Sequence, residues 1–161
     1  MLPVPQKKLG FELPNNQAVM EQVKKQRQPA EPMDVINILE SVTNDRAQAI
    51  KMYNTLANLV TTDPDFRVVR ANNTLFMYNN NRDGSVDIAM ETADSPRTLV
   101  ESIKEFRKAM KIAGFKTGRF DIDNPQIMKV LKMAGIDIKT QPSGTVLDDG
   151  VTPGLIGIGE F

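Results

Sequence analysis

The sequence contains no cysteine, no histidine and no tryptophan. Without cysteine the chain can form neither disulfides nor thiolate zinc sites, and without histidine it lacks imidazole ligands and the commonest general base. The 20 basic and 20 acidic side chains cancel, so no overall field draws the protein toward nucleic acid or anionic lipid. Any reaction would therefore depend on carboxylate, lysine, serine, tyrosine or backbone groups.

Long apolar runs are absent as well. No segment approaches the ~20 apolar residues that cross a bilayer. The opening "MLPVPQKKLG" lacks the apolar region of a signal peptide. We therefore expect synthesis in a cytoplasm from a native start. A chain of 161 residues fits one domain with extensions.

The two chain ends combine helix-breaking residues with apolar side chains. Residues 1–16 contain prolines that block a helix and remove backbone donors, and a short polar helix over residues 17–28 follows. Residues 141–161 mix glycine and proline with apolar residues, too interrupted for regular structure and too apolar for a solvated tail. We expect two arms, residues 1–32 and 141–161, that bind partners through Leu2, Val4, Phe11, Leu13, Leu155, Ile156, Ile158 and Phe161.

Hydrophobic periodicity between the arms changes from helical to alternating. It predicts helices over residues 33–42 and 44–63, with Asn44 as the cap of the second helix. Three antiparallel strands follow, over residues 66–72, 74–79 and 85–92.

A long helix comes next, beginning at the cap Ser95 with Pro96 in its first position and ending at Gly114. Its apolar stripe consists of Leu99, Ile103, Phe106, Met110 and Ala113. The remaining pattern predicts a strand over residues 116–122, a helix over 124–134 and a strand over 136–140, which makes the domain α+β.

This order of elements resembles the Gcn5-related N-acetyltransferase fold over residues 33–140. The most specific part is "GRFDIDNPQIMKVLKMAGIDIKT", with Asn124 after a strand, an apolar helix over residues 127–131, then Gly135 and Ile136. The resemblance implies a mixed sheet flanked by helices.

The resemblance also implies where acetyl-CoA would bind. Such enzymes hold the pyrophosphate on backbone amides of a Gly-rich loop at the start of the long helix. This chain has no glycine between Gly84 and Gly114, and the positions that correspond to the loop glycines fall near Ser95 and Arg97. An enzyme with this atypical loop would bind the cofactor through Asp94, Ser95, Arg97, Thr98 and Leu99.

Residues for proton transfer are also missing from their usual places. Leu131 stands where the resemblance places a tyrosine acid, and it has no proton to give. Asp87 and Glu91 alternate with apolar residues on the third strand, so we interpret them as solvent-facing. We therefore expect no catalytic residue, no cofactor and no metal.

Two other patterns suggest ligands and have simpler explanations. "NNNRDG", residues 79–84, resembles the start of a calcium loop, but Met90 occupies the place of the bidentate glutamate, which favours a hairpin turn. A basic cluster could bind phosphate, yet no aromatic residues interleave with it, so nucleic acid is the less favoured partner. The cluster consists of Lys104, Arg107, Lys108, Lys111, Lys116 and Arg119.

A degenerate acetyltransferase-like domain with extensions resembles small proteins encoded among the virion genes of tailed bacteriophages. This resemblance implies a non-enzymatic assembly component of the head–tail junction, tail or internal core. It would be made in the host cytoplasm and would reside in the virion. Its arms would dock on portal, tail or core subunits, or on other copies of itself, and no membrane would be involved. The alternative is an acetyl-CoA-dependent N-acetyltransferase with an atypical cofactor loop.

Overall fold

The computed structural model describes residues 32–161. The predicted N-terminal arm, with Leu2, Val4, Phe11 and Leu13, and the short polar helix that follows it lie outside the described residues.

Two helices open the described chain, α1 over Pro32–Thr43 and α2 over Arg46–Thr62. Asn44 has a φ of 56°, a left-handed conformation that ends α1. Asp45 caps α2, because its carboxylate accepts a hydrogen bond from the Gln48 N–H at 3.1 Å. The prediction of the two helices is confirmed, but the prediction of Asn44 as the cap is wrong.

Three antiparallel strands follow as predicted: β1 over Phe66–Ala71, β2 over Thr74–Asn80 and β3 over Ser85–Thr92. In the turn between β2 and β3, Asp83 accepts hydrogen bonds from the Ser85 N–H at 2.9 Å and the Ser85 hydroxyl at 2.6 Å. The segment that resembles a calcium loop is therefore a hairpin turn.

The second half of the chain forms α3 over Pro96–Ile112, β4 over Thr117–Ile122, α4 over Gln126–Met133, β5 over Ile138–Val146 and β6 over Pro153–Glu160. The six strands make one sheet in the order β1-β2-β3-β4-β6-β5. Neighbouring strands are antiparallel except β3 and β4, which are parallel because α3 crosses over between them.

Residues 141–161 belong to this sheet, which corrects the prediction of an irregular C-terminal arm. β5 continues to Val146, and β6 lies between β4 and β5. The glycines of β6 make close packing possible: a Cβ added to Gly157 would lie 2.6 Å from Cζ of Phe120, and one added to Gly159 would lie 2.7 Å from Cδ1 of Ile138. The glycine content suggests a segment without regular structure. In the sheet these glycines instead leave room for the side chains of Phe120 and Ile138.

Apolar side chains fill both faces of the sheet. The core under α1 and α2 includes Val35, Ile36, Leu39, Tyr53, Val68 and Leu75. The core under α3 and α4 includes Phe76, Tyr78, Val86, Leu99, Phe106 and Met110, with the rings of Phe76 and Phe106 stacked at a centroid distance of 4.2 Å. Within residues 32–161 no helix has the length and apolar character needed to cross a membrane.

Candidate functional site: the cleft between β3 and β4

The parallel strands β3 and β4 separate soon after they meet. Their pairing extends only from Ser85 and Thr117 to Asp87 and Arg119. Beyond this point both strands continue, β3 to Thr92 and β4 to Ile122, without pairing to each other. The sheet therefore contains a V-shaped gap, which we call the β3–β4 cleft.

The cleft exposes backbone polar groups of β3. The Ala93 N–H donates to the Asn73 carbonyl on the β2 side at 2.9 Å, and β3 pairs with β2 in continuous register. Since backbone groups alternate in direction along a strand, those of Met90 and Thr92 point away from β2 and into the cleft. An extended ligand with amide groups could pair with this edge as an additional strand would.

A cavity of about 590 Å³ occupies the cleft, a volume in the usual range for small-molecule sites. α3, α4 and β5 supply a largely apolar wall, which includes Leu99, Ile103, Phe106, Ile127, Leu131 and Ile138. An apolar ligand segment would be desolvated there.

Gly118 lies at the vertex of the cleft, where β4 leaves β3. A Cβ at this position would lie 2.6 Å from Cδ1 of Ile88 and 2.9 Å from Cζ of Phe161. Glycine is needed here because neighbouring side chains occupy the space that any other side chain would take. Sequence reasoning missed this residue, which is buried and lines the cavity.

Glu91 lies on the cleft wall, on the face of the sheet opposite α3. It is paired with Leu75, which belongs to the core under α1 and α2, and paired residues share a face. Burial raises the pKa of Glu91 above its ordinary value. Glu91 is half-buried and lines the cavity, so the interpretation of this residue as simply solvent-facing is wrong. Asp87, four residues earlier on the same strand and face, remains exposed and pairs with Arg119 at 3.2 Å.

Negative charge predominates around the cleft. Arg107 is the one basic side chain in the described cavity wall, and its Nη1 donates to the Gly135 carbonyl at 3.5 Å. Five carboxylates line the same cavity: Glu91, Asp94, Asp121, Asp123 and Glu160. The cleft would attract a cation and repel a polyanion.

The loop before α3 contains the residues predicted for a cofactor site. Thr92 ends β3 and Pro96 begins α3, so residues 93–95 alone connect them. Ser95 caps α3, its hydroxyl oxygen accepting from the Thr98 N–H at 3.4 Å. Arg97 is exposed on the first turn, and Leu99 is buried against the cavity.

Asp94 lies at the centre of a hydrogen-bond network in this loop. One carboxylate oxygen accepts from the Thr74 hydroxyl at 2.6 Å and from the Ser102 hydroxyl at 2.9 Å. The other oxygen accepts from the Asn73 N–H at 3.1 Å. Thr74 and Ser102 are fully buried, so the network ties the loop firmly to β2 and α3.

These groups do not fit a pyrophosphate cradle. A cradle presents several unpaired N–H groups to the anion. Pro96 has no N–H, the Thr98 N–H bonds to Ser95, and the Leu99 N–H donates to the Ser95 carbonyl at 2.8 Å. A carboxylate, that of Asp94, is already held beside this helix end.

Leu131 and Asn124, two residues singled out in the segment that carries the resemblance, are among those that line the cavity. Leu131 is buried in the wall, at the place expected from the sequence, and has no acidic proton. Asn124 accepts a hydrogen bond from the Gln126 N–H at 3.0 Å and so positions the start of α4. The contact that the structure shows for the Asn124 side chain is therefore one that supports the fold.

The structure divides the basic cluster between different surfaces. Lys104 lies on α3 beside Glu101, with their charged atoms 3.8 Å apart, and Arg107 faces the cavity. Arg119 projects from the opposite face of the sheet, next to Asp87. The continuous phosphate-binding face considered from the sequence is not formed.

Residues predicted to bind partners lie on β6 and just after it. Phe161 is half-buried and contacts Phe106 edge-on at a centroid distance of 6.3 Å within its own domain, and partner binding through it stays a prediction. Leu155 is exposed, and Ile156 and Ile158 are half-buried. Partner binding through these three residues stays a prediction.

No family model and no curated protein matches the sequence. Solved structures with a similar fold include a probable GNAT-family acetyltransferase from Chromobacterium violaceum, with a TM-score of 0.55, 12% identity, and coverage of 80% of this chain and 79% of that chain. A spermidine N-acetyltransferase mutant from Vibrio cholerae gives a TM-score of 0.56 at 12% identity, covering 81% of this chain and 92% of that one. A putative acetyltransferase from Salmonella typhimurium, solved with its cofactor acetyl-CoA, gives 0.55 at 15% identity, with coverage of 83% and 91%.

These similarities overturn the expectation of a non-enzymatic virion component. The similar structures named above are acetyltransferases, and nothing in the comparisons indicates a virion role. At 12% to 15% identity these similarities show the fold. The described chain is an α+β domain with a six-stranded mixed sheet flanked by helices, and it has the fold of the GNAT acetyltransferases.

Proposed function

We propose that the protein is an N-acyltransferase that transfers an acyl group from a thioester to an amine in the β3–β4 cleft. The observation that carries this proposal is the position of Glu91 beside the unpaired edge of β3, in a cavity of about 590 Å³. The acetyltransferase neighbours support the same class of reaction.

The two components would enter the cleft from opposite faces of the sheet. The apolar wall formed by α3 and α4 suits the arm of a thioester such as acyl-pantetheine, whose amides can pair with the backbone of Met90 and Thr92. The carboxylates Glu91, Asp121 and Glu160 suit a protonated amine, which they would attract before it loses its proton.

The chemistry requires a proton acceptor near the nitrogen. The amine lone pair forms a bond with the acyl carbon, the carbon–sulfur bond breaks, and the thiolate leaves with its electron pair and takes a proton from solvent. The Glu91 carboxylate accepts the proton that nitrogen loses. Burial raises the pKa of Glu91, which makes its carboxylate a stronger base than that of an exposed glutamate.

The test is a thiol-release assay with acetyl-CoA and S-acetyl-pantetheine as donors and a panel of mono- and polyamines as acceptors. Because the chain contains no cysteine, a thiol reagent would detect only the released thiol. We expect amine-dependent release and an acetylated amine in the mass spectrum. Absence of both with either donor up to about 1 mM, the upper end of usual KM values, would overturn the proposal.

A further inference from the structure

The backbone at the start of α3 offers almost no free N–H groups to an anion. In its first turn Pro96 lacks an N–H, and the N–H groups of Thr98 and Leu99 are both bonded to Ser95. The Arg97 amide is at most the one backbone donor left, whereas a phosphate-binding helix end presents several.

The same helix end already holds a negative charge. Asp94 accepts hydrogen bonds from the Thr74 and Ser102 hydroxyls and the Asn73 amide, and both hydroxyl residues are fully buried. The α3 dipole and these donors stabilise the carboxylate where it is. A pyrophosphate brought to this place would meet a fixed like charge instead of unsatisfied donors.

The start of α3 with Asp94 forms the outer end of the cleft, and the inner end lies along β3 at Met90 and Thr92. Its wall is apolar, and the backbone groups of Met90 and Thr92 point into the gap. A pantetheine arm consists of short aliphatic links and two amides, so it matches this surface without any contribution from phosphate.

We infer that the acyl donor is recognised through its acyl-pantetheine arm alone, and that the nucleotide half of CoA adds no affinity. The inference rests on the proposed function for the identity of the ligand. It also widens the class of donors, because any carrier that presents an acyl-pantetheine arm meets the same requirement.

Calorimetric titration with S-acetyl-pantetheine and with acetyl-CoA tests the inference directly. We expect acetyl-CoA to bind at most about threefold more tightly than S-acetyl-pantetheine, since one hydrogen bond to a charged group already corresponds to roughly tenfold. Acetyl-CoA binding that is tenfold or more tighter would overturn the inference, because the protein would then be reading the nucleotide half.

Salt provides a second readout that needs no variant. Screening weakens repulsion between the cleft carboxylates and the phosphates, so raising NaCl from about 50 to 500 mM should strengthen acetyl-CoA binding relative to S-acetyl-pantetheine. Weaker relative binding of acetyl-CoA in high salt would reveal an attractive phosphate site and would overturn the inference.

The variant Asp94→Asn removes the charge and keeps a side chain of the same shape. We expect the ratio of the Kd of acetyl-CoA to the Kd of S-acetyl-pantetheine to be several-fold lower in this variant than in the parent. The matched control is Asp123→Asn, which removes the same charge from an exposed residue of the cavity wall. An equal change in both variants would indicate a general charge effect and would count against a specific role for Asp94.

Binding and turnover together separate the inference from the proposed function. Equal binding of both donors without acyl transfer would leave the inference standing and defeat the proposed function. Acyl transfer together with much tighter binding of acetyl-CoA would support the proposed function and overturn the inference. No binding of either donor at millimolar concentration would defeat both.

Discussion

Polar groups at the two ends of the β3–β4 cleft differ in whether the protein itself satisfies their hydrogen bonds. The inner end lies along β3 at Met90 and Thr92, and the outer end is the loop that contains Asp94. At the inner end, β4 diverges from β3 and leaves the backbone of Met90 and Thr92 directed into an apolar cavity. At the outer end, the carboxylate of Asp94 is satisfied by buried hydroxyl groups and a backbone amide. Unsatisfied groups beside a cavity are available to a ligand, whereas a completed network mainly stabilises the fold.

Removing the strand that supports the cleft should have the largest effect. β6 pairs with β4 on one side and β5 on the other, so deleting residues 153–161 leaves two strands without a common neighbour. We expect loss of cooperative folding, measured by urea denaturation with circular dichroism. A truncated chain that unfolds cooperatively with the parent's stability would show that β6 is dispensable, as an arm would be.

Replacing Glu91 tests the inner end. Glu91→Gln removes the proton acceptor but keeps the size of the side chain, and we expect a fall in kcat of about 10²- to 10⁴-fold. The matched control is Asp87→Asn, on the same strand and face but paired with Arg119. Thiol release measures both variants. Similar losses in the two would exclude a particular role for Glu91.

Replacing Asp94 tests the outer end, and here the expected loss is in stability. Asp94→Ala removes the carboxylate that accepts from the Thr74 and Ser102 hydroxyls and from the Asn73 N–H, which should cost roughly 2 to 3 kcal/mol of unfolding free energy. Urea denaturation measures this change, with Asp123→Ala as the control. If the two variants are equally stable, the network does not hold the loop.

Filling the vertex of the cleft should have a smaller effect on stability. Gly118→Ala places a methyl group against Cδ1 of Ile88 and should destabilise the fold by about 1 to 3 kcal/mol. Adding Ile88→Val removes that carbon and should recover part of the loss. A double variant that is no more stable than Gly118→Ala would indicate that the contact with Phe161 dominates.

The smallest effect concerns pH. Burial raises the pKa of Glu91 in the folded protein, so the stability associated with its protonated form is present at low pH and is lost as the pH rises through that pKa. Glu91→Gln should therefore melt slightly higher than the parent at neutral pH and at the same temperature in acid. Thermal melts across this range measure the difference. A constant difference at every pH would show that Glu91 does not titrate with a raised pKa.

Local patterns predicted most helices and strands because each depends on nearby residues. Ser95, Pro96 and Gly114 mark the ends of α3, and strand alternation identifies β1 to β3. The C-terminal strand was not predicted, because Gly157 and Gly159 lower strand propensity and their partners, Phe120 and Ile138, are distant in sequence.

The candidate site was predictable in part. The loop without glycine and the apolar residue Leu131 are visible in the sequence, and the structure places both at the cleft. The place of Glu91 in the cavity wall was not recognised, because the cavity exists only where β4 stops pairing with β3. One signal was available: α3 lies between β3 and β4, and a helical crossover predicts a parallel pair within an otherwise antiparallel sheet.

The strand order has a consequence for synthesis. β6 is made after every other strand of the sheet, yet its place is between β4 and β5. Until residues 153–160 have been translated, β4 and β5 both present an unpaired edge to the cell, and unpaired edges invite association with other chains. The nascent protein must therefore keep its sheet open at this position, and the last strand to emerge closes it.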